Sequence, residues 1–449
     1  MRIISRIRMS RAYNKSKWLK ARNLAFKLLY HENEEGLAKS VIIRTYWHEK
    51  NYNKVRDLVA EWDFEGVFPN IDRFFGNNTD ATVDEIACDI EHEWDPDNLI
   101  SNFHQIENRL WLKTPLSWVY WDMPSGFSLV DTHESLLLLA VEVLLKPWIN
   151  TTSEKNLELR KFGANYSLSF SGGIDSTAAM ILLPDDTILA YHQRDFESQL
   201  LHNNAKRLID YLETRKSKEV LIVKSNHERI RTRYGKPNGF STDYAAGVHL
   251  ILLGDFLDLK GIAFGLPIDN GWLAKGSKFR NFKETEHWVY WSGRFREAGL
   301  ELVLPINMIS EAGAMKICQS HDLIEYTNSC LRGAGNGCGK CWKCFHKNGP
   351  LGRQIDYHSN EIQVFLKKRP LRTAMHALWA IQKMNLEHLV PDMSEFFQND
   401  LSWWEEIYAP GFELLPEDLK GTVKDNLELY LPIMKDHQAL ISTNLFPEY

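Results

Sequence analysis

The feature that most narrows what this chain can fold into is the run YSLSFSGGIDSTAAMILLP, Tyr166 to Pro184. A short apolar segment stops at two glycines, and a helix-like apolar segment starts directly after them. That order is a strand, a tight turn and a helix, the unit of parallel α/β sheets. The neighbouring sequence repeats it. From Asn165 to about Leu304, short apolar runs (YSLSF, TILAYH, EVLIVKS, GIAFGL) alternate with longer amphipathic ones (STAAMILL, SQLLHNNAKRLIDYLE, DYAAGVHLILLGDFLD). The expected fold class is therefore α/β, a parallel sheet with helices on both faces. Ligands of such sheets bind beyond the carboxyl ends of the strands.

The turn itself suggests a ligand. Gly172 and Gly173 carry no Cβ, so backbone N–H groups can converge on an anion at the positive end of the new helix. Ser171 and Ser176 add hydroxyl donors, and Asp175 can cap the helix or hold a magnesium ion. The Walker spacing GxxxxGK[ST] and the dinucleotide fingerprint GxGxxG are both missing here. A pyrophosphate group suits the turn best.

A second cluster lies in NSCLRGAGNGCGKCWKCFHK, where Cys330, Cys338, Cys341 and Cys344 follow one another among glycines. Four thiolates so close satisfy the tetrahedral preference of zinc; an iron–sulfur cluster uses the same ligands. Four closed ligands point to a structural metal. Cys88 and Cys318, the other two of six cysteines, sit in helix-like segments and read as packing residues. Neither crowding in one segment nor the lack of a secretory h-region fits a secreted disulfide framework, so a reducing cytoplasm is expected.

SGGIDS resembles the SGGxDS signature of the N-type ATP pyrophosphatases, the PP-loop family, whose domain has the adenine nucleotide alpha hydrolase-like (HUP) fold. Together with the cysteine knuckle it is similar to the 7-cyano-7-deazaguanine synthase branch of that family. In YHQRDFESQLLHNNAKRLIDYL, Gln193 and Arg194 match that branch, as do Pro305, Ser329 and Cys330 in LPINMISEAGAMKICQSHDLIEYTNSC. The likeness runs from about Gly163 to Gly349. It implies that Ser171, Gly172, Gly173, Ile174, Asp175, Ser176 and Gln193 bind ATP with Mg2+, that Ser171, Asp175 and Arg194 are catalytic, and that Cys330, Cys338, Cys341 and Cys344 hold Zn2+. The implied reaction adenylates a small-molecule carboxylate, a 7-deazaguanine-type base in that branch, and lets a nitrogen donor displace AMP to give an amide or nitrile. Two further readings are a PP-loop sulfur transferase acting on a tRNA base and a non-catalytic nucleotide-binding scaffold.

Departures from the pattern accompany the matches. Asp195 stands where the branch has histidine, and Glu311 falls near an expected lysine. GLPIDNGWLAKGSKFRNFKETEHW has no Tyr-Pro-Asp-Cys substrate segment. Asp269 and Asn270 can read a base-like ring there, while Lys275, Lys278 and Arg280 can restore positive charge. The basic loop Lys275 to Lys283 can be a lid or a solvated loop. Asp243 can be a ligand contact or a helix cap. His202, His249 and His287 show no metal spacing and read as packing or surface residues.

Flanking regions read as helix. Leu28, Leu29, Ala38, Val41, Ile42, Tyr46, Val55, Leu58, Val59 and Trp62 recur at spacings of three and four, and part of this stretch looks like one tetratricopeptide-type hairpin. The expected domains are a helical 1–150, a phosphate-binding 151–349 carrying the knuckle, and a helical 350–449 that covers the core or meets a protein partner and carries no recognisable chemistry. A homodimer stays open. Nine basic residues and no acid occupy the first thirty positions, yet the net charge is -6, so nucleic acid is not an expected partner. No apolar run is long enough to span a bilayer.

Overall fold

The computed structural model describes residues 2–15, 17–31, 34–49, 88–151, 158–196, 205–234, 239–330 and 337–447, with single positions among 51–62 and Lys236. The predicted loop at 76–82, the second half of the tetratricopeptide-type hairpin, His202 and the glycines between Cys330 and Gly337 lie outside the described residues.

Three helices come first: α1 (Arg2–Asn14), α2 (Trp18–Leu28) and α3 (Glu35–His48). α2 packs between the other two. Its buried Ala21, Arg22, Ala25 and Leu28 repeat at three- and four-residue steps, so one stripe of the helix faces its neighbours. Arg22 is held under this face by Glu49, 2.5 Å away.

The next segment departs from the helical expectation. β1 (Phe103–Ile106), β2 (Arg109–Lys113) and β3 (Trp118–Asp122) form an antiparallel meander. The helical spacing rests on residues between Leu28 and Trp62 and carries no information about this stretch. Here aromatic residues such as Trp111, Trp118, Tyr120 and Trp121 favour the pleated state. Ile106 pairs with Arg109 across a two-residue turn in which Glu107 takes a left-handed φ of 51°.

α4 (Glu134–Leu145) then enters the core and is buried along nearly its whole length. Its one buried acid, Glu142, accepts hydrogen bonds from the Tyr290 hydroxyl and, at 2.7 Å, from Arg294 Nε. A carboxylate in an otherwise apolar helix is tolerated only with such partners. They also fasten α4 to α7 (Glu286–Glu297).

The sheet proper is parallel, with β4 (Asn165–Ser169) central, β5 (Ile188–Arg194) and β6 (Val220–Ser225) on one side, and β7 (Leu259–Ala263) and β10 (Glu301–Val303) on the other. The meander joins β6 through the pair Trp121 and Ser225, so one eight-stranded sheet runs β1-β2-β3-β6-β5-β4-β7-β10. The architecture is mixed α/β with a mostly parallel sheet surrounded by helices. One packed group contains α5 (Ile174–Leu182), α8 (Glu311–Ser320) and α11 (Glu417–Glu428); another joins α4 to α7 and to the short helix Val248–Leu252; α6 (Lys206–Lys216) packs beside β6. Chain direction across the sheet reverses between β4 and β7, the switch point at which open α/β sheets leave a crevice.

Residues beyond 350 wrap the same core. They contribute α9 (Asn360–Lys367), α10 (Ala374–Lys383), α11 and several single turns. Ser310 Oγ donates to Trp404 O, Tyr408 N donates to Met308 O at 2.8 Å, and Asn426 Nδ2 donates to Leu182 O at 3.0 Å. Its apolar residues belong to the same continuous core as those of the sheet.

Candidate functional site

The Ser171 turn lies at the switch point. β4 ends at Ser169, and α5 starts at Ile174 after Gly172, whose φ is +68°, and Gly173, the cap residue. A Cβ on Gly172 would sit 2.5 Å from Ala205 Cβ, so no other residue fits that bend. Gly173 has no side chain to cap the helix, and Ile174 N has only a long 3.4 Å contact with Ser329 Oγ. Ser171 and Ser176 meet hydroxyl to hydroxyl at 3.0 Å, which closes the turn over the helix start. From the far side of the switch, the segment after β7 presses in: a Cβ on Gly265 would lie 2.9 Å from Ser176 N. The sequence-predicted Ser171, Gly172, Gly173, Ile174, Asp175 and Ser176 thus form one continuous turn, bounded by the two serine hydroxyls and leading into a helix start without a side-chain cap.

Asp175 is not free. Its Oδ2 takes Lys347 Nζ at 2.6 Å, while Oδ1 is buried with no hydrogen-bond partner among the described residues. The same Lys347 nitrogen lies 3.4 Å from Glu311 Oε2. Burial alone would neutralise the lysine, but Asp175 and Glu311 together hold its pKa above the ordinary value. Burial pushes the Asp175 carboxyl up against the pull of Lys347. For Glu311, burial is outweighed by Lys347, His376 and His346, and the carboxyl falls to about 2. Glu311 opens α8 behind the Ser310 cap, and its N–H donates to Asp269 Oδ2 at 3.0 Å. Asp269 is itself buried, with Oδ1 unpartnered and its carboxyl pushed well up by burial and then by Glu311.

Lys347 reaches this place because of the knuckle. Cys344 to Asn348 form a single π-helical turn, so the lysine follows the last cysteine by three residues on a rigid turn. In the knuckle, Cys330 and Cys341 sulfurs are 3.8 Å apart, as are those of Cys338 and Cys344, and all four lie within 4.8 Å of one another. A tetrahedron with metal–sulfur bonds of about 2.3 Å has edges of roughly 3.8 Å, so the four cysteines form a group able to hold a metal ion such as zinc. Gly337 at φ +90° makes room: a Cβ there would meet Cys344 Sγ at 3.1 Å. Two amides, Cys338 N to Cys330 Sγ and Lys340 N to Cys338 Sγ, approach the sulfurs at 3.5 Å.

Other predicted residues are engaged elsewhere. Arg194 Nε donates to the buried Glu228, and no contact among the described residues joins it to the turn. Gln193 is half-buried near the carboxyl end of β5, registered against Lys224. Asp195 Oδ2 accepts from the Tyr120 hydroxyl at 2.8 Å, tying the meander to β5. The basic loop is strapped down rather than free. β8 (Leu273–Ala274) and β9 (Lys278–Phe279) make a hairpin, Phe279 N donates to Thr443 O, and Arg280 donates to Gly271 O and Asn270 O. Exposed Asp243 lies 3.6 Å from His287. Cys318 is fully buried and donates to Ile174 O, so it supports the first turn of α5 from below, and burial pushes its thiol far up.

The spacing of motifs missed four participants. Lys347 and His346 stood in plain view as the HK after Cys344. Glu311 read as a lost lysine, although it supplies the second carboxylate that holds Lys347. His376 belongs to a segment that carried no recognisable chemistry, yet α10 brings its Nε2 to 3.8 Å from Glu311 Oε2.

Residues 290–443 match the model of a family of unknown function (DUF6395), a stretch covering well under half of the chain. It includes Glu311, the four cysteines, His346, Lys347 and His376, and leaves out the Ser171 turn and Asp269. No curated protein and no solved structure matches the chain. No helix among the described residues is long and apolar enough to cross a membrane.

Proposed function

We propose that the chain binds ATP at the Ser171 turn, with Mg2+, and activates a carboxylate as its adenylate for attack by a nitrogen donor. The observation that carries this reading is the start of α5 at the sheet's switch point, which no side chain caps and beside which the Ser171 and Ser176 hydroxyls meet. The carboxylate oxygen forms a bond to the α phosphorus as the bridging α–β oxygen leaves with pyrophosphate. The nitrogen then bonds to the acyl carbon, the bond to AMP breaks, and the nitrogen sheds its proton to solvent. Lys347, paired with Asp175 beside the turn, would balance phosphate charge, and the unpartnered Asp175 Oδ1 would meet the metal ion. Zinc at the knuckle would hold the turn that carries Lys347. A 7-deazaguanine carboxylate is the first substrate to try, and six cysteines with no disulfide among them suit a reducing compartment such as the cytoplasm. The sulfur-transfer reading needs a reactive thiol outside the knuckle, and the burial of Cys318 weighs against it.

The test is product analysis of ATP with candidate carboxylates and ammonia. AMP and pyrophosphate should accumulate, and both Ser171→Ala and Asp175→Asn should reduce them at least tenfold. ADP with phosphate, or bound ATP that both variants leave untouched, would sink the assignment.

A further inference from the structure

Beside the nucleotide turn, three side chains converge that the adenylation reading does not need. Glu311 comes from the start of α8, His346 from the π turn, and His376 from α10. One ligand-capable atom of each lies within 4.8 Å of the other two. The two imidazole centroids are 5.3 Å apart with planes inclined at 66°, so the rings approach edge to face instead of stacking. His346 is 1% exposed and His376 0%. Both ring nitrogens of His346 and Nδ1 of His376 are buried without a hydrogen-bond partner among the described residues. Orphaned polar atoms of this kind are costly, and several in one place call for a partner that satisfies them.

We propose that Glu311, His346 and His376 hold a second metal ion, a first-row divalent cation of which Zn2+ is the best match. Two imidazoles and one carboxylate are a common three-ligand set for such ions, leaving positions for water or substrate. Metal–ligand bonds of about 2.0–2.2 Å put ligand atoms roughly 3–3.5 Å apart. The 3.8 Å between His376 Nε2 and Glu311 Oε2 is therefore close to what the ion requires. His376 Nε2 is also 3.2 Å from His346 O, a contact that the ion would replace or that Nδ1 could avoid by turning the ring.

Surrounding charges choose the metal. Lys347 lies 3.4 Å from Glu311 Oε2, the same oxygen that is 3.8 Å from His376 Nε2, but its shorter bond, 2.6 Å, is to Asp175. Lys343 and Arg372 also project positive charge toward Glu311. That field works against a hard cation held by charge alone, such as Mg2+, and favours an ion bound through imidazole nitrogen. Because Glu311 and Asp175 share Lys347, the ion would stand one side chain from the phosphate turn.

The test counts metal on the purified full-length chain equilibrated with Zn2+ and desalted. Two equivalents are expected for the unaltered chain, and one for both Glu311→Gln and His376→Gln, with the knuckle zinc retained as an internal check of folding. Loading with Co2+ supplies a second measurement: thiolate charge-transfer absorbance should saturate at one equivalent while total bound cobalt reaches two. A single equivalent in the unaltered chain, or two in both variants, would overturn the site. Neither readout depends on ATP, so it can fail while adenylation stands, and the reverse.

Discussion

The π turn Cys344–Asn348 joins two neighbourhoods built in opposite ways. On one side the knuckle gathers four ligands from fifteen consecutive positions, Cys330 to Cys344. On the other, Asp175, Asp269, Glu311, Lys347 and His376 come from five separate segments. The local cluster owes its shape to short chain closure, and its spacing announces it. The dispersed one owes its shape to the whole fold. Each should respond differently when a member is removed.

The largest effect is expected at the knuckle. Cys341→Ser, or chelation of a metal held there, should cost on the order of 5 kcal/mol or more, because metal affinity at such a site is folding energy. Thermal unfolding read beside metal content measures it; a stripped chain that melts at an unchanged temperature would break the contrast. Lys347→Met comes next. It strands Asp175 and Glu311 without their shared cation, and about 3–5 kcal/mol is expected in denaturant unfolding. A loss under about 1 kcal/mol would mean the cluster behaves like surface charge.

A pH-graded effect, smaller for any one histidine over one pH unit, is expected from another dispersed group. His192, His227 and His249 are buried together beneath the carboxyl ends of the strands. Burial drives His227 to about 3 and His249 to about 4, and His192 well down. The unfolded chain takes up protons below about pH 6.5 that the folded chain refuses, so stability falls as pH drops from there toward 4. Each histidine should contribute up to about 1.4 kcal/mol per pH unit, and His227→Gln should flatten the slope by roughly one group's share. The smallest effect belongs to Lys283→Ala. Its ion pair with Glu413 is exposed on both sides, and the melting temperature should not move.

What could be read from the chain follows the same division. The Ser171 turn and the α/β alternation were legible because their determinants are contiguous: Gly172 must bend, and strand and helix periods sit on either side. The meander escaped because Trp111, Trp118 and Tyr120 gain their strand preference from a neighbouring sheet, not from local period. Arg194 has the right position along β5, but Glu228, far along the chain, decides where its guanidinium goes. Glu311 looked like a missing lysine since its partner, Lys347, is supplied from another element. Pairings of this kind exist only after the chain has closed.

The meander has one more effect. It meets the six-residue β6 at the strand's last residue, where Trp121 pairs with Ser225, and extends the sheet beyond it. With it, the outer borders are β1 and β10, of four and three residues. Segments so brief offer a stray strand few amides to grip at those two borders.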